Sequence, residues 1–307
     1  MKKIAIEEHW AMEGVDKVAA RLHDMDTGGI DMQVLSATMS YDDPRNKTAA
    51  DAAKWAIDTN NAFFKITQKY PTRFASFAAI TLNDPLAAAK ELERAVKDLG
   101  FKGTMIGQEL QGRYLDEPDY GVVLETAERL NVPIYLHPSL PAPDMIKPYS
   151  TYPILSRSMW GFAAQTGLHA MRMICGGVFD RFPNLKIILG HMGENIPYQL
   201  WRLDNRWKQE KDARPGGFDT DPSSNLKKTP SQYFKDNFYI TTSGMFWHPV
   251  LKFACSVLGA DRILFAVDYH FESNELASNF IESAPISQSS KDKICHLNAE
   301  KLLRIPG

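Results

Sequence analysis

Short apolar runs recur along the chain and alternate with longer segments that carry apolar residues at helical spacing. Runs of this length, bounded by Gly, Pro, Asn or Asp, are typical of strands. Two of them, at 132–137 and 186–190, are nearly all apolar, as expected for parallel strands buried on both faces. The pattern predicts eight strands, at 3–8, 32–37, 74–80, 101–106, 132–137, 186–191, 238–242 and 263–268.

Helical spacing fills most of the intervals between these strands. Asp84 followed by Pro85 predicts a capped helix start, and Gly100 ends that helix. Asn131 is expected to end the next helix in the left-handed conformation. The predicted helices lie at about 49–69, 85–99, 117–130, 197–211, 249–258, 273–281 and 287–303.

Eight strand-and-helix units in a chain of this length predict an α/β fold, a (β/α)₈ TIM barrel formed by one domain over residues 1–307. An open doubly wound sheet is the alternative. It is weakened because no GxGxxG follows the first strand, where a dinucleotide-binding fold would place it. The Pro-rich segment 138–159 and the polar segment 213–230 are predicted to be inserted loops.

Composition excludes several classes of partner. A net charge of −2 without a lysine or arginine block speaks against nucleic-acid and membrane partners. No apolar run approaches the roughly 18 residues of a membrane span, and the first strand begins too early to leave room for a signal peptide. Three cysteines without CxxC spacing predict neither a disulfide framework nor a thiolate metal site, so we expect a cytoplasmic protein.

Carboxylates and imidazoles stand at four predicted strand ends. Glu7 and His9 end the first strand, on the same face because side chains alternate, while His137, His191 and Asp268 end the fifth, sixth and eighth. A barrel gathers these ends at one mouth. Two imidazoles and two carboxylates, from Glu7, His9, His137 and Asp268, suit one divalent metal, for which Zn²⁺ is the default and Mn²⁺ is open.

The same residues resemble the amidohydrolase superfamily. Ile6-Glu7-Glu8-His9, Tyr135-Leu136-His137-Pro138, Gly190-His191-Met192-Gly193-Glu194 and Asp268-Tyr269 are similar to motifs of its metal-dependent hydroxybenzoate decarboxylases, such as the γ-resorcylate and 2,3-dihydroxybenzoate enzymes. The likeness spans nearly the whole chain. Its most specific point is Glu7, where most amidohydrolases carry the first His of a His-x-His pair.

The resemblance implies metal ligation by Glu7, His137 and Asp268, with His9 a ligand in some members only. It implies that His191 and Glu194 form a hydrogen-bonded pair beside the substrate. Arg202 matches an arginine that reaches a neighbouring subunit's site in relatives, which implies a homodimer or homotetramer; a surface ion pair of Arg202 with Asp204 or Glu194 is the alternative.

Two departures from the family pattern leave the particular acid open. Gly107 stands where several members place Asn, so that a substrate contact is lost or moves to Gln108, and Pro138-Ser139 replaces a frequent Pro-Arg. Trp10 and Phe271, with Phe246, Trp247 and Tyr269, follow strand ends and could wall a planar ring or simply pack at the rim.

The implied reaction is the reversible decarboxylation of a small aromatic carboxylic acid to a phenol and CO₂. Asp268 would donate a proton to the ring carbon that bears the carboxylate, and His191, oriented by Glu194, would accept or stabilise the phenolic proton. Metal-dependent hydrolysis of a lactone or amide needs the same ligands and stays open, with Asp268 then acting as base. A barrel that only binds a metal or an aromatic ligand is the third hypothesis.

Overall fold

The computed structural model describes residues 1–10, 17–37, 46–107, 112–142, 145–213 and 222–306. All pairings of neighbouring strands are parallel, in two runs ordered β1-β2-β3 and β4 to β9 in sequence. The strands are β1 (Ile4–Trp10), β2 (Met32–Ala37), β3 (Phe74–Ser76), β4 (Ala78–Ala79), β5 (Thr104–Gly107), β6 (Ile134–His137), β7 (Ile187–Leu189), β8 (Phe238–Thr241) and β9 (Ile263–Leu264).

Only Phe77 separates β3 from β4, and its amide donates to Leu35 while the next amide, of Ala78, donates to Gly103. The two pieces are therefore one broken strand, and all eight predicted strands are present. Beyond β9 the chain returns to the first strand: the Asp268 amide donates to Glu7 (3.0 Å) and the His9 amide to Tyr269 (2.6 Å). This contact joins the last strand to the first, as the predicted (β/α)₈ barrel requires.

Helices follow most strands, and their ends have identifiable causes. Thr48 caps α2 by accepting from the Asp51 amide. Asp84 caps α3 just before Pro85, as the sequence predicted. Asn131 is left-handed (φ 51°), which confirms it as the stop of α4. The helices are α1 (Lys17–Thr27), α2 (Ala49–Lys69), α3 (Pro85–Lys97), α4 (Gly121–Leu130), α5 (Gly161–Cys175), α6 (Val178–Arg181), α7 (Ile196–Ala213), α8 (Pro230–Asn237), α9 (His248–Leu258), α10 (Asn274–Ser283), α11 (Gln288–Asp292) and α12 (Asn298–Leu303).

Two apolar clusters separate the inside of the barrel from the layer beneath its helices. The inner cluster includes Ile4 and Ile6 of β1, together with residues such as Phe77, Tyr135 and Ile188. The register of β1 shifts between Ala5 and Glu8, and this interruption of the alternation lets Glu7 and His9 face inward as well. The larger cluster packs the other strand faces against the helices. Because the strands are buried on both sides, a polar residue on an inward face at a strand end points into the mouth of the barrel.

Of the predicted inserted loops, the described parts of 138–159 contain the short 3₁₀ turns Lys147–Tyr149 and Pro153–Ser156. Residues 143–144 and 214–221, which belong to the predicted loops, lie outside the described residues. No helix in the described ranges combines the length and apolar character of a membrane span. That residues 1–307 form one domain stays a prediction.

Candidate metal centre and its surroundings

Four side chains from three strand ends converge at the barrel mouth. Glu7 and His9 come from β1, His137 from the last position of β6, and Asp268 from the segment after β9. One possible ligand atom from each lies within 4.8 Å of all the others. The shortest separations join His9 Nε2 to Asp268 Oδ1 (3.1 Å) and His137 Nε2 to Glu7 Oε1 (3.6 Å).

The donor atoms of this cluster have the character of cation ligands. Glu7 Oε1, His9 Nε2 and Asp268 Oδ1 are buried and have no hydrogen-bond partner in the described part of the chain. Buried polar atoms are normally paired, and three buried atoms that lack a hydrogen-bond partner and lie close together are expected where a cation would bind them. The residues present therefore fit one divalent metal ion.

Electrostatics prepare the same atoms for ligation. Burial, reinforced by the neighbouring His9, holds the pKa of His137 well below its ordinary value, so that the imidazole keeps a free lone pair. Burial would raise the pKa of Asp268, but the contacts to His191 and His9 outweigh it and lower that pKa. Burial raises the pKa of Glu7, the cost of an ionised carboxylate that a bound cation would offset.

His191 and Glu194 form a pair beside the cluster. His191 Nδ1 lies 2.7 Å from Glu194 Oε1, and Nε2 lies 3.7 Å from Asp268 Oδ2. Burial alone would lower the pKa of His191, but the negative charges of Glu194 and Glu7 outweigh it and raise that pKa well above its ordinary value. The raised pKa favours the protonated form of His191, whose Nε2 faces Asp268.

A left-handed turn after β7 presents this pair. The five residues from His191 to Asn195 all have positive φ, between 49° and 85°. Non-glycine residues pay about 1–2 kcal/mol each for this conformation. Gly193 is required at its centre, since a Cβ there would lie 2.8 Å from Ile240 Cγ2. The turn folds His191 and Glu194 onto the same side, which the spacing in the sequence alone does not reveal.

Hydroxyl groups surround the second oxygen of Glu7, and sequence reasoning missed them. The fully buried Tyr135 donates a hydrogen bond to Glu7 Oε2, and its oxygen lies 3.1 Å from Thr241 Oγ1. Thr241 in turn contacts Ser243 Oγ at 2.7 Å. The available signal was period two: Tyr135 precedes His137 by two residues and so shares its inward face.

A second buried network lies on the opposite face of β1. Glu8 points away from Glu7, accepts a hydrogen bond from the Val267 amide (3.0 Å), and has a pKa raised to about 8 by burial. Arg21 donates to the His9 carbonyl oxygen (2.8 Å). Its guanidinium sits between the rings of Trp10 and Tyr269, 5.0 and 4.6 Å from their centroids.

Of the two aromatic residues predicted to bind the substrate, only one lies beside the metal cluster. Trp10 is only 6% exposed and packs on Arg21 behind β1, so the structure does not bring it to the metal cluster. Phe271 is exposed, and its ring lies 5.5 Å from that of His9, at the mouth. Gly107 pairs in register with His137, whereas Gln108 lies outside the described residues.

Arg202 lies on the exposed face of α7. No hydrogen bond or ion pair joins it to another residue within the described ranges. Asp204 instead accepts from Ser231 and Thr229, and Glu194 contacts His191. The expected alternative of an ion pair with Asp204 or Glu194 is therefore not what the structure shows. Tyr198 and Trp201, on the same face of the helix, are 78% and 77% exposed.

A parallel barrel with imidazole and carboxylate groups converging at the C-terminal ends of its strands defines a metal-dependent barrel enzyme. The chain belongs to the amidohydrolase family, whose model, described as "Amidohydrolase", matches residues 9–305.

Within this family, the chain is similar over its full length to decarboxylases of dihydroxybenzoic acids. The chain is 37% identical to a gamma-resorcylate decarboxylase of Polaromonas sp. (strain JS666 / ATCC BAA-500), over 99% of this chain and 98% of the relative. A 2,6-dihydroxybenzoate decarboxylase solved with 2,6-dihydroxybenzoate superposes with a TM-score of 0.90 at 35% identity, covering 99% of this chain and 100% of that one. A dihydroxybenzoic acid decarboxylase of Polaromonas sp. JS666, solved with manganese and 2-nitroresorcinol, gives 0.89 at 35% identity, with 99% and 97% covered.

Proposed function

We propose that this chain is a metal-dependent, non-oxidative decarboxylase of a hydroxylated benzoic acid, which it converts reversibly into a phenol and CO₂. It is then a carboxy-lyase on an amidohydrolase barrel. The observation that carries the proposal is the 37% identity to a gamma-resorcylate decarboxylase over 99% of the chain. The four-residue cluster that contains Glu7 supports it, because it offers the ligands that such an enzyme needs.

Glu7, His9, His137 and Asp268 would hold the metal ion. When bound, the metal supplies a Lewis acid and a template for a substrate carboxylate and its ortho oxygen. Two imidazoles and two carboxylates make Zn²⁺ our proposal, and the manganese in the Polaromonas structure makes Mn²⁺ its competitor. Metal analysis of the protein as purified, followed by reconstitution with each ion separately, decides between them.

Asp268 is the proposed proton donor. It transfers a proton to the ring carbon that bears the carboxylate, so that a C–H bond forms and the ring loses its aromaticity. The bond from this carbon to the carboxylate then breaks, its electron pair restores the aromatic ring, and CO₂ leaves. Each turnover of the carboxylate anion consumes one proton.

From the sequence we expected His191 to accept or stabilise the phenolic proton; we now propose it as the source of the proton that Asp268 transfers. The raised pKa of His191 keeps it protonated, and Nε2 lies 3.7 Å from Asp268 Oδ2. The contacts to His191 and His9 lower the pKa of Asp268, so Asp268 must gain a proton in the complex before it can act as an acid. His191, held by Glu194 at 2.7 Å, can supply this proton or donate a hydrogen bond to the phenolic oxygen.

Phe271 is the described aromatic residue best placed to wall the substrate ring, because it is exposed beside His9. Trp10, in this proposal, does not touch the substrate; its ring packs against the Arg21 guanidinium. Arg202 would complete the site of a neighbouring subunit in a homodimer or homotetramer. Its support is an exposed cation without a partner in the described chain, flanked by the exposed Tyr198 and Trp201. A cytoplasmic location stays a prediction.

Incubation of metal-reconstituted protein with a panel of dihydroxybenzoates tests the proposal. We expect stoichiometric release of CO₂ and phenol, and incorporation of labelled bicarbonate into the phenol in the reverse direction. Turnover of lactones or amides without CO₂ release would instead establish a hydrolase. Binding of the acids without turnover of either class would leave only a binding function.

A further inference from the structure

The two oxygens of Glu7 have different surroundings. Oε1 faces the cluster, 3.6 Å from His137 Nε2 and 4.0 Å from His191 Nε2, and accepts no hydrogen bond within the described ranges. Oε2 points the other way and accepts from the Tyr135 hydroxyl. One oxygen is therefore engaged by the protein, and only the other is left for a cation.

A connected series of hydroxyl groups ends on that engaged oxygen. The His191 amide donates to Ser243 Oγ (3.1 Å), and Ser243 Oγ lies 2.7 Å from Thr241 Oγ1. Thr241 Oγ1 in turn lies 3.1 Å from the Tyr135 oxygen and donates to Glu7 Oε2 at 3.4 Å. Successive donors of this kind polarise one another and strengthen the final bond to the carboxylate.

Gly190 makes the space in which these groups meet. A Cβ at this position would lie 3.1 Å from Glu7 Oε2 and 3.2 Å from both the Tyr135 hydroxyl and Ser243 Oγ. These contacts are tighter than ordinary van der Waals separation, so any side chain here would push the carboxylate or its donors. The need for a small residue at Gly190 is thus explained by the hydroxyl groups behind Glu7.

We propose that Tyr135 is a positioning residue that restricts Glu7 to a single metal-binding oxygen, Oε1. The inference rests on the metal dependence in the proposed function. A carboxylate without the Tyr135 donor can turn and chelate through both oxygens, which changes the coordination number and the angles available to His137 and Asp268. Holding Oε2 in a hydrogen bond keeps that position open for the substrate's own oxygens.

The test compares Tyr135→Phe with Tyr233→Phe. Tyr233 is also buried and also donates to a carboxylate, that of Asp180, but lies on α8 away from the cluster. The affinity for Mn²⁺ and for Zn²⁺ is measured by competition with a chromophoric chelator, and the Mn²⁺ site is followed by electron paramagnetic resonance. Tyr135→Phe should weaken metal binding by about 10–100-fold and alter the Mn²⁺ spectrum. Tyr233→Phe should leave both unchanged.

Thr241→Val provides a second variant in case Tyr135→Phe folds poorly. It removes one donor behind Tyr135 and should weaken metal binding in the same direction by a smaller factor. If folded Tyr135→Phe keeps the parent's metal affinity within twofold and its Mn²⁺ spectrum, the inference is overturned. Should Tyr135→Phe not fold, an unchanged metal affinity and Mn²⁺ spectrum in Thr241→Val overturn it. If the parent itself binds no divalent metal, the proposed metal dependence has failed first, and the two failures are thereby distinguished.

Discussion

At the scale of single residues, surroundings give three buried carboxylates three different states. Glu8 is desolvated and has a pKa of about 8. Asp268 is buried as well, but its contacts to His191 and His9 lower its pKa and keep it ionised. Glu7 has its pKa raised by burial too, but one of its oxygens is engaged by Tyr135. Residue type alone does not assign the roles; partners do.

Replacement of Asp268 tests its role as proton donor. Asp268→Asn should lower kcat for decarboxylation by about 10²–10⁴-fold, because an amide cannot transfer the proton. Asp261→Asn is the matched control, since Asp261 is exposed and pairs only with Lys293 among the described residues. CO₂ release is measured with the metal content of each variant determined in parallel. Full decarboxylase activity in metal-loaded Asp268→Asn would exclude the proposed role.

The pH dependence of the reaction tests the pair of His191 and Glu194. The raised pKa of His191 keeps the required proton until the pH rises through that pKa, above which activity falls. Glu194→Gln removes the largest charge that raises the pKa, so the alkaline fall in kcat/KM should begin at lower pH. The acidic side of the profile should move less. An unchanged alkaline limb in the variant would show that His191 does not act as a proton donor.

The positions of most residues around the metal cluster follow from the sequence, because the ends of parallel strands must meet at one mouth. Glu7, His9, His137 and Asp268 could be predicted to converge for that reason. Trp10 could also have been placed from the sequence: side chains alternate from Glu7 to Trp10, so Trp10 shares the face of Glu8, where Arg21 packs on it. The inward face of Tyr135 follows from His137 in the same way, but nothing in an apolar strand shows that this tyrosine donates to a candidate ligand instead of only filling the core.

At the scale of elements, the contact between β1 and the segment after β9 is the place where barrel and site coincide. Glu7 and His9 lie on one side of it and Asp268 on the other, and backbone hydrogen bonds join the two. Arg21 from α1 spans this contact, since it stacks on Trp10 and Tyr269, the residues that directly follow two candidate ligands. A helix thereby fixes the spacing between two strand ends.

Substitution of Arg21 should destabilise the contact between β1 and the segment after β9. Arg21→Lys loses the planar fork that reaches the His9 carbonyl and Gln33 together, and should lower the free energy of unfolding by about 2–4 kcal/mol. Arg172→Lys is the control: its guanidinium also stacks on a tyrosine and pairs with Asp116, but is partly exposed, so we expect about 1 kcal/mol or less. Urea titrations at fixed pH measure both. Equal losses would contradict the role of Arg21 at this contact.

Strand positions were more predictable than helices for a physical reason. A parallel strand buried on both faces leaves a continuous apolar run, whereas α5 (Gly161–Cys175) carries Gly, Gln, Thr and His on its buried face and was not predicted. The left-handed turn from His191 to Asn195 was equally hidden, because Met192 and Glu194 are types that usually avoid that conformation and a run of five such residues is uncommon.

At the scale of the whole molecule, α7 connects the site to the surface. It begins directly after the turn that carries His191 and Glu194, and its exposed face carries Tyr198, Trp201 and Arg202. Two large aromatic side chains more than three-quarters exposed, spaced at i and i+3, are typical of a covered interface. A second copy packed on this face would bring Arg202, which has no ion-pair partner among the described residues of its own chain.

A charge placed on this face should disrupt the assembly. We expect the parent to sediment as a dimer or tetramer and Trp201→Glu to sediment as a smaller species with reduced kcat/KM. Leu86→Glu is the control, because Leu86 is 71% exposed at the start of α3, a different helix. Analytical ultracentrifugation over a range of concentrations measures the effect. A parent that is monomeric and fully active would refute the proposed assembly.

Subunit mixing distinguishes an Arg202 that serves its own site from one that serves a neighbour's. Arg202→Ala and Asp268→Asn should each be nearly inactive alone. In a mixed dimer, the chain with intact Asp268 receives Arg202 from the other chain, so one of its two sites is complete. Random exchange of equal amounts should therefore restore roughly a quarter of the parent activity. If Arg202 acts within its own chain, each mixed dimer contains no complete site and mixing restores nothing. Recovery that depends on time and concentration, as exchange does, would place the arginine across the interface.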